Sequence, residues 1–509
     1  MLKRNIIANY LGQGWTALMG LAFIPLYIKY LGIEAYGLIG LFALLQAWLG
    51  LLDMGMTPTL SREMARFTGG SQSRESIRDL LRSIEIIAVG VAILIASGIA
   101  LGSSWIATSW LKAENLSTDI IAQAFAIMGV VSALRFIEGI YRSAIVGLQR
   151  QVLFNAVNSA MATLRGVGAV GILALVSPTI EVFFIWQGTV SIATLAILAA
   201  TTYHTLPKGE RSGRFSLPAL RSIWRFAGGM LGITLLALLL TQVDKILLSK
   251  LLSLSEYGYY TLAATVAAAL HMLIGPITQA WYPRLCELHA RDEQAALAEA
   301  YHQSSQLVSV VAGSAAIVLI FFSETLLRLW TQNPELAVRT APLLSLLALG
   351  NMLNGLMHMP YMTQLAHGMT SLTVRINIIA VGIIVPAIFW ATSRHGAEGA
   401  AWVWVALNAG YMLIGNHFMY RKILTHEKWR WYGQDVLQPL LAAAAAAAAA
   451  RAAAWAIPES LTIPVQLAGL LLASTITLLA SAFAAPRVRA ALLTQVRLRF
   501  KFIGLSDTV

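Results

Sequence analysis

The chain has 509 residues, 58% of them hydrophobic and 12% charged, with a formal net charge of +12. Its mean hydropathy of +0.69 lies outside the range of soluble domains, and apolar runs of about 20 residues recur along its length, leaving no stretch for a separate soluble domain. The alternation that barrel strands need is not visible, so the fold class is an all-α integral membrane protein.

The first apolar run starts after Lys3 and Arg4 and continues to about Tyr30. It is too long for a signal-peptide core and lacks a small-residue cleavage site, so it reads as the first membrane helix. In chain order the apolar runs predict about fourteen helices, centred near residues 17, 48, 96, 134, 164, 192, 237, 270, 316, 353, 381, 409, 446 and 473. An even count puts both termini on one side. The clusters Lys3/Arg4, Arg62 to Arg82, Lys208 to Arg225, Arg421 to Arg430 and Arg487 to Lys501 all fall on that side. Basic residues are retained in cytoplasmic loops, so both termini are expected in the cytoplasm. The positive charge is then mostly a topological signal, and nucleic acid is not an expected partner. The single cysteine, Cys286, cannot form an intramolecular disulfide and reads as a packing residue.

Several predicted spans carry polar or charged side chains. On the first helix Asn5, Asn9, Gln13, Thr16 and Gly20 share one face, either a water-lined wall or a polar contact between helices. The second carries Asp53. The fourth holds Arg135, Glu138 and Arg142, whose spacing places them within about 60° of one another on a single stripe. A central ionised residue costs about 2.5–3.5 kcal/mol on insertion, whereas Leu, Ile, Phe or Val returns about 0.3–0.6, so the stripe should face protein or water, not lipid. Glu138 can partner either Arg135 or Arg142, and Asp53 can partner either arginine of the first half. The fifth helix offers Asn155, Asn158, Ser159 and the central Arg165. In the second half, Lys245 follows Thr234 and Thr241 along one face, with Asp244 beside it, and His271, Gly275, Thr278 and Tyr282 share a face on the eighth helix. His271 reads as a satisfied packing residue before it reads as a proton site. The intramembrane balance is Arg135, Arg142, Arg165 and Lys245 against Asp53, Glu138 and Asp244. An excess of cation suits an anionic ligand, phosphate or diphosphate above all, although pairing between helices is the alternative reading of each residue.

An internal repeat organises the chain. The segment from Tyr30 to Gly40 returns as Lys250 to Tyr260, with Tyr36-Gly37 aligned on Tyr257-Gly258. An even number of spans separates the copies, so the repeat is parallel. The expected organisation is a first lobe over 1–205, a basic cytoplasmic linker over 206–221, a second lobe over 222–421, two further helices over 422–485 and a basic tail over 486–509. The alanine run at 442–450 reads as close helix packing. Two parallel-repeat bundles without large loops predict a central cavity between lobes and alternating access, which is transporter architecture.

The stretch over residues 9–67 carries the turn Tyr30-Leu31-Gly32 with Glu34, Tyr36 and Gly37, then Leu52-Asp53-Met54-Gly55, then Ser61-Arg62-Glu63 leading to Arg66. In these residues the chain resembles the polysaccharide-exporter branch of the multidrug/oligosaccharidyl-lipid/polysaccharide superfamily, with Wzx-type O-antigen and capsule-repeat flippases the nearest in look. The signature covers little more than a tenth of the chain. The resemblance implies two six-helix lobes, two extra C-terminal helices and a cation-lined cavity in the bacterial inner membrane. It implies movement of polyprenyl-pyrophosphate-linked oligosaccharide between leaflets, driven by an ion gradient or the membrane potential without a cofactor. Membrane lipids and other polysaccharide assembly proteins are the implied surroundings. Cavity charges in that family form no fixed motif, so the site residues rest on the spacing arguments above: Arg135, Arg142, Arg165 and Lys245 for the substrate, Asp53, Glu138 and Asp244 for coupling or charge balance, and Asn9, Gln13, Asn158 and His271 as polar lining. Two rival readings are a cation-coupled multidrug exporter of the same fold, which calls for a carboxylate-dominated site, and a non-transporting component of an assembly complex. An enzyme is not expected: no Asp-x-Asp metal site, large extracytoplasmic loop or Walker-type phosphate loop is present.

Overall fold

The computed structural model describes residues 2–68, 70, 73–206, 211, 213–455 and 462–502. Parts of the expected linker, Lys208 and Gly209 among them, the last residues of the tail and the side chains of Asn5 and Thr234 lie outside the described residues. The chain divides into two compact units, Met1–Gly258 and Tyr259–Val509.

In the first unit the helices are α1 (Leu2–Ala22), α2 (Ile24–Leu49), α3 (Met56–Thr68), α4 (Arg74–Trp105), α5 (Thr118–Gly147), α6 (Gln151–Leu175), α7 (Ile180–Thr205) and α8 (Leu217–Leu251), followed by α9 (Leu254–Ala268), which begins in this unit. In the second they are α10 (Leu270–Ala290), α11 (Gln294–Val308), α12 (Ser314–Phe321), α13 (Ser323–Thr331), α14 (Pro334–Leu356), α15 (His358–Ala366), α16 (Thr370–Gly410), α17 (Asn416–Tyr420), α18 (Lys428–Arg430), α19 (Gln438–Trp455), α20 (Ile463–Ala484) and α21 (Pro486–Phe502). No strand occurs among the described residues. An all-helical chain follows from the medium, since every backbone N–H and C=O inside a bilayer must be satisfied within its own segment.

Eleven helical segments among the described residues are long and apolar enough to cross a membrane, and the protein is a multi-pass membrane protein. The expected count of fourteen is not reached by that measure. The expected centres at 17 and 237 fall on α1 and α8, which are not among the eleven. Those at 381 and 409 share the single segment Val374–Tyr420, whose backbone breaks at His395 and Gly396.

Helix caps show how the sequence sets boundaries. Ser73 accepts from the backbone N–H of Ser76 at 3.1 Å to start α4, and Ser117 accepts from that of Ile120 at 3.3 Å to start α5. Asp53 sits where α2 ends. The backbone turns through positive φ at Met54 and Gly55, and the Asp53 carboxylate accepts from the N–H and the hydroxyl of Thr57 to open α3. Asp53 is therefore a capping residue in a short turn, and its contacts go to Thr57 and not to a buried arginine.

Within the first unit the two copies of the aromatic-Gly turn meet. A Cβ on Gly37 would lie 2.6 Å from the carbonyl oxygen of Leu254, and one on Gly258 would strike the carbonyl of Ile33. Leu254 also donates its N–H to the carbonyl of Lys112 at 2.8 Å. The compact division falls after this contact, later in the chain than the basic linker, because α8 packs against α2, α3 and α4.

In the second unit a core of Tyr301, Val308, Met359, Met419 and Trp431 joins α11, α15, α17 and the helical stretch that leads into α19. The alanine run supplies Ala443 and Ala447, both fully buried against Ala316 and Ile317 of α12. Small residues let these backbones approach closely.

Candidate functional site

The charged stripe on α5 lies inside the first unit, where α7 packs against both α5 and α6. Glu138 is 2% exposed. Its partner is Arg165 of α6, not Arg135 or Arg142 of its own helix: Arg165 Nη2 donates to both carboxylate oxygens at 3.2 Å. The same nitrogen lies 3.4 Å from Ser191 Oγ and 3.3 Å from Thr194 Oγ1 on α7. The Thr194 hydroxyl donates back to the carbonyl of Val190 at 2.6 Å, so its lone pairs are what face the guanidinium. Arg135 turns the other way, donating from Nη2 to Gln187 Oε1 at 2.9 Å and stacking 4.8 Å from the centroid of the Phe42 ring. Arg142 is exposed and lies 5.7 Å from the ring centroid of Phe154. The physical reason is direction. Residues three or four apart on one helix lie side by side along its surface, whereas an arginine on the facing helix points across the gap at the carboxylate.

The cluster thus holds two guanidiniums around one carboxylate and keeps an excess positive charge. Each guanidinium has five N–H donors, and the Nε atoms of Arg135 and Arg165 are buried with no hydrogen-bond acceptor among the described residues. The arrangement can take a further anion: donors in a planar fork are what phosphate oxygens bind. Sequence reasoning passed over the three α7 residues that complete the cluster, Gln187, Ser191 and Thr194, all buried. Their spacing of four and three along an otherwise apolar helix is the signal that marks such a face.

The polar face of α1 is a seam against α6. Asn9 Nδ2 donates to Gln151 Oε1 at 2.9 Å, Asn155 Nδ2 donates to Asn9 Oδ1 at 2.6 Å, and Asn158 Nδ2 donates to Thr16 Oγ1 at 3.0 Å. For Asn9 and Asn158, contact between helices is the reading the geometry favours; Gln13 is exposed. On α8, Lys245 donates to Gln242 Oε1 of its own helix at 2.9 Å, and Asp244 lies beside it in the same turn. In the second unit His271 Nε2 is 3.2 Å from Asn354 Oδ1, and Asn354 in turn donates to Asn408 Oδ1 at 2.8 Å. His271 is a member of a hydrogen-bonded network with Asn354 and Asn408. The structure therefore brings Arg135, Glu138 and Arg165 together, and places Asp53, Lys245 and His271 in other settings.

This fold is shared with solved transporters. The structure described as "Lipid II flippase MurJ, inward closed conformation" matches with a TM-score of 0.68 at 12% identity, covering 94% of this chain and 98% of that one. An inward-facing multidrug resistance MATE family transporter of the MOP superfamily matches with a TM-score of 0.58 at 13% identity, covering 80% and 95%. The fold defines the class, a multi-pass membrane protein with the helical architecture of these solved transporters. The model of the family described as "Polysaccharide biosynthesis protein" matches residues 2–289, more than half of the chain, and the chain belongs to that family. A relative from Shigella flexneri described as "Putative O-antigen transporter" is 18% identical over 414 residues, which cover 79% of this chain and 93% of that protein.

Proposed function

We propose that the protein is a flippase that moves polyprenyl-pyrophosphate-linked oligosaccharide repeat units across the bacterial inner membrane, with both termini in the cytoplasm, for O-antigen, capsule or exopolysaccharide synthesis. The observation that carries this reading is the Glu138 to Arg165 pair with a second half-buried guanidinium, Arg135, on the same helix as Glu138 and held by Gln187 and Phe42. A lone carboxylate makes Arg135 and Arg165 tolerable when no ligand is present, and an arriving diphosphate offers the unused donors better acceptors. In this account Arg135 and Arg165 form the anion site, with Arg142 and Lys245 as further cations along the route. Glu138 competes with the substrate for Arg165, so binding and release are linked to its carboxylate. Work is drawn from an ion gradient or the membrane potential. Membership of a polysaccharide biosynthesis family and the similarity to a protein described as an O-antigen transporter support the substrate class.

The second reading is a cation-coupled multidrug exporter, favoured by the likeness to MATE structures. Its cationic substrates would meet like charge at Arg135 and Arg165. Deletion of the gene separates the two readings. The flippase account expects an undecaprenyl-pyrophosphate-linked oligosaccharide to accumulate with unchanged drug sensitivity. Raised drug sensitivity with normal lipid-linked intermediates would replace it with the exporter.

A further inference from the structure

The second unit holds a buried imidazole between two carboxylates. His302 of α11 is 1% exposed. Its Nδ1 hydrogen-bonds to Oδ2 of Asp435, which is fully buried, and its Nε2 lies 2.8 Å from Oε2 of Glu427, whose side chain is 23% exposed. An ionised carboxylate only accepts, and a neutral imidazole donates from one nitrogen and accepts at the other. Two ionised carboxylates on a neutral ring would leave one contact with lone pair facing lone pair. The trio as built therefore contains one proton more than that state. Asp435 is further served by Gln306 Nε2 at 2.9 Å and faces Arg487 Nη1 at 3.9 Å, both of which favour its ionised form. On the imidazole that proton makes both contacts N–H to carboxylate oxygen, whereas on Asp435 it would leave a buried carboxylic acid donating to the ring.

A charge count over the surrounding elements agrees. The carboxylates facing the ring are Glu299 of α11, Glu427 of the connector before α18, and Asp435. The cations are Arg430 of α18, 3.6 Å from Glu427, and Arg487 of α21, which forks onto Glu299 at 2.7 and 2.9 Å. The phenols of Tyr301 and Tyr420 bond each other at 2.6 Å nearby. Three carboxylates against two guanidiniums balance when the trio holds one proton.

We propose that His302, Asp435 and Glu427 form a proton-binding site, and that the bound proton fastens the connector over residues 421–427 to α11. When the proton leaves, one of the two ring contacts must open. Asp435 is buried and held by Gln306, whereas Glu427 is partly in solvent on a short connector, so Glu427 is the arm that releases. This holds whatever the protein carries.

The test uses the full chain in detergent or nanodiscs with 15N-labelled histidine. One of the nine histidines is assigned to His302 by the signal lost in His302→Gln. At pH 7 the account expects two protonated ring nitrogens on His302, and a single neutral tautomer in the Asp435→Asn, Glu427→Gln double variant. A neutral His302 in the wild type, or an unchanged charged ring in the double variant, would overturn it. Hydrogen exchange of 421–427, corrected for intrinsic pH dependence, gives a second reading that needs only Glu427→Gln at the solvent end of the trio. Protection in the wild type should drop about tenfold or more between pH 6 and pH 9, and the variant should show no such drop. A pH-independent wild type, or a variant that keeps the drop, contradicts the proposal.

Discussion

The two units handle buried charge in opposite ways. In the first, ionised groups sit in the middle of long helices, at Arg135, Glu138 and Arg165, and cations outnumber the carboxylate. In the second, α10, α14 and α16 are joined by a hydrogen-bonded chain of His271, Asn354 and Asn408, with Trp404 donating to Asn351 at 2.9 Å. Its charges gather instead near helix ends and connectors, around His302 and Arg487, where they balance. Balanced groups at helix ends hold elements together. An unbalanced cluster at mid-helix is expensive to keep, and a ligand of opposite charge is the reason such a cost is tolerated.

The largest expected effect comes from breaking the first unit's cluster. Glu138→Ala leaves Arg165 buried without its counter-ion and should cost about 3 kcal/mol, toward the lower end of the usual range because the Arg165 side chain is 20% exposed. Thermal unfolding in detergent measures this. Adding Arg165→Met to the same chain should restore most of the loss, because both ionised groups are then gone; no recovery would mean that the pair is not the relevant contact.

The second unit sharpens the contrast. Arg487→Ala removes a forked pair with Glu299, which is 58% exposed, and a 3.9 Å contact with Asp435, which His302 and Gln306 still serve, so the cost should be nearer 1 kcal/mol, read from the same melts. A loss equal to that of Glu138→Ala would erase the distinction between units. The neutral α1 to α6 seam should rank lower still. A double-mutant cycle on Asn9→Ala and Asn155→Ala is expected to give a coupling of about 0.6 kcal/mol, the usual size for a hydrogen bond between membrane helices.

The smallest effect is a pH dependence at the edge of the second unit. Burial raises the Glu427 carboxyl, but its hydrogen bond to His302 and the charges of His302 and Arg430 outweigh burial and hold it below the ordinary carboxylate range. A depressed carboxyl contributes stability that is present above its unfolded value of about 4.3 and is lost as pH falls through the lower folded value. The melting difference between wild type and Glu427→Gln should therefore be present at pH 6 and shrink on acidification to pH 3. A difference that grows on acidification would show the opposite sign.

Much of this was legible in the sequence because two of its signals are strong. Apolar runs of span length define a helical membrane protein, and the spacing of Arg135, Glu138 and Arg142 defines a shared stripe. What spacing along one helix cannot supply is the partner across the gap. Arg165 stood alone on its helix, and only tertiary packing shows that it, and not Arg142, meets Glu138. Asp53 looked like a buried acid because it sits in an apolar stretch, yet Met54-Gly55 after it mark a turn, and an acid before a turn and a helix start is a cap. His302, Glu427 and Asp435 passed unremarked since each is a single polar residue near a loop. They are far apart in sequence, and nothing local connects them.

The central claim is that the cations of the first unit serve a lipid-linked anion. The most direct measurement is translocation of a polyprenyl-diphosphate-linked oligosaccharide in proteoliposomes by wild type and by Arg135→Ala, a change that leaves the Glu138 to Arg165 pair in place. With both proteins folded to the same extent, the account predicts a rate at least about tenfold lower in the variant, the equivalent of one charge-assisted contact of about 1.4 kcal/mol or more. Translocation by Arg135→Ala at the wild-type rate would contradict it.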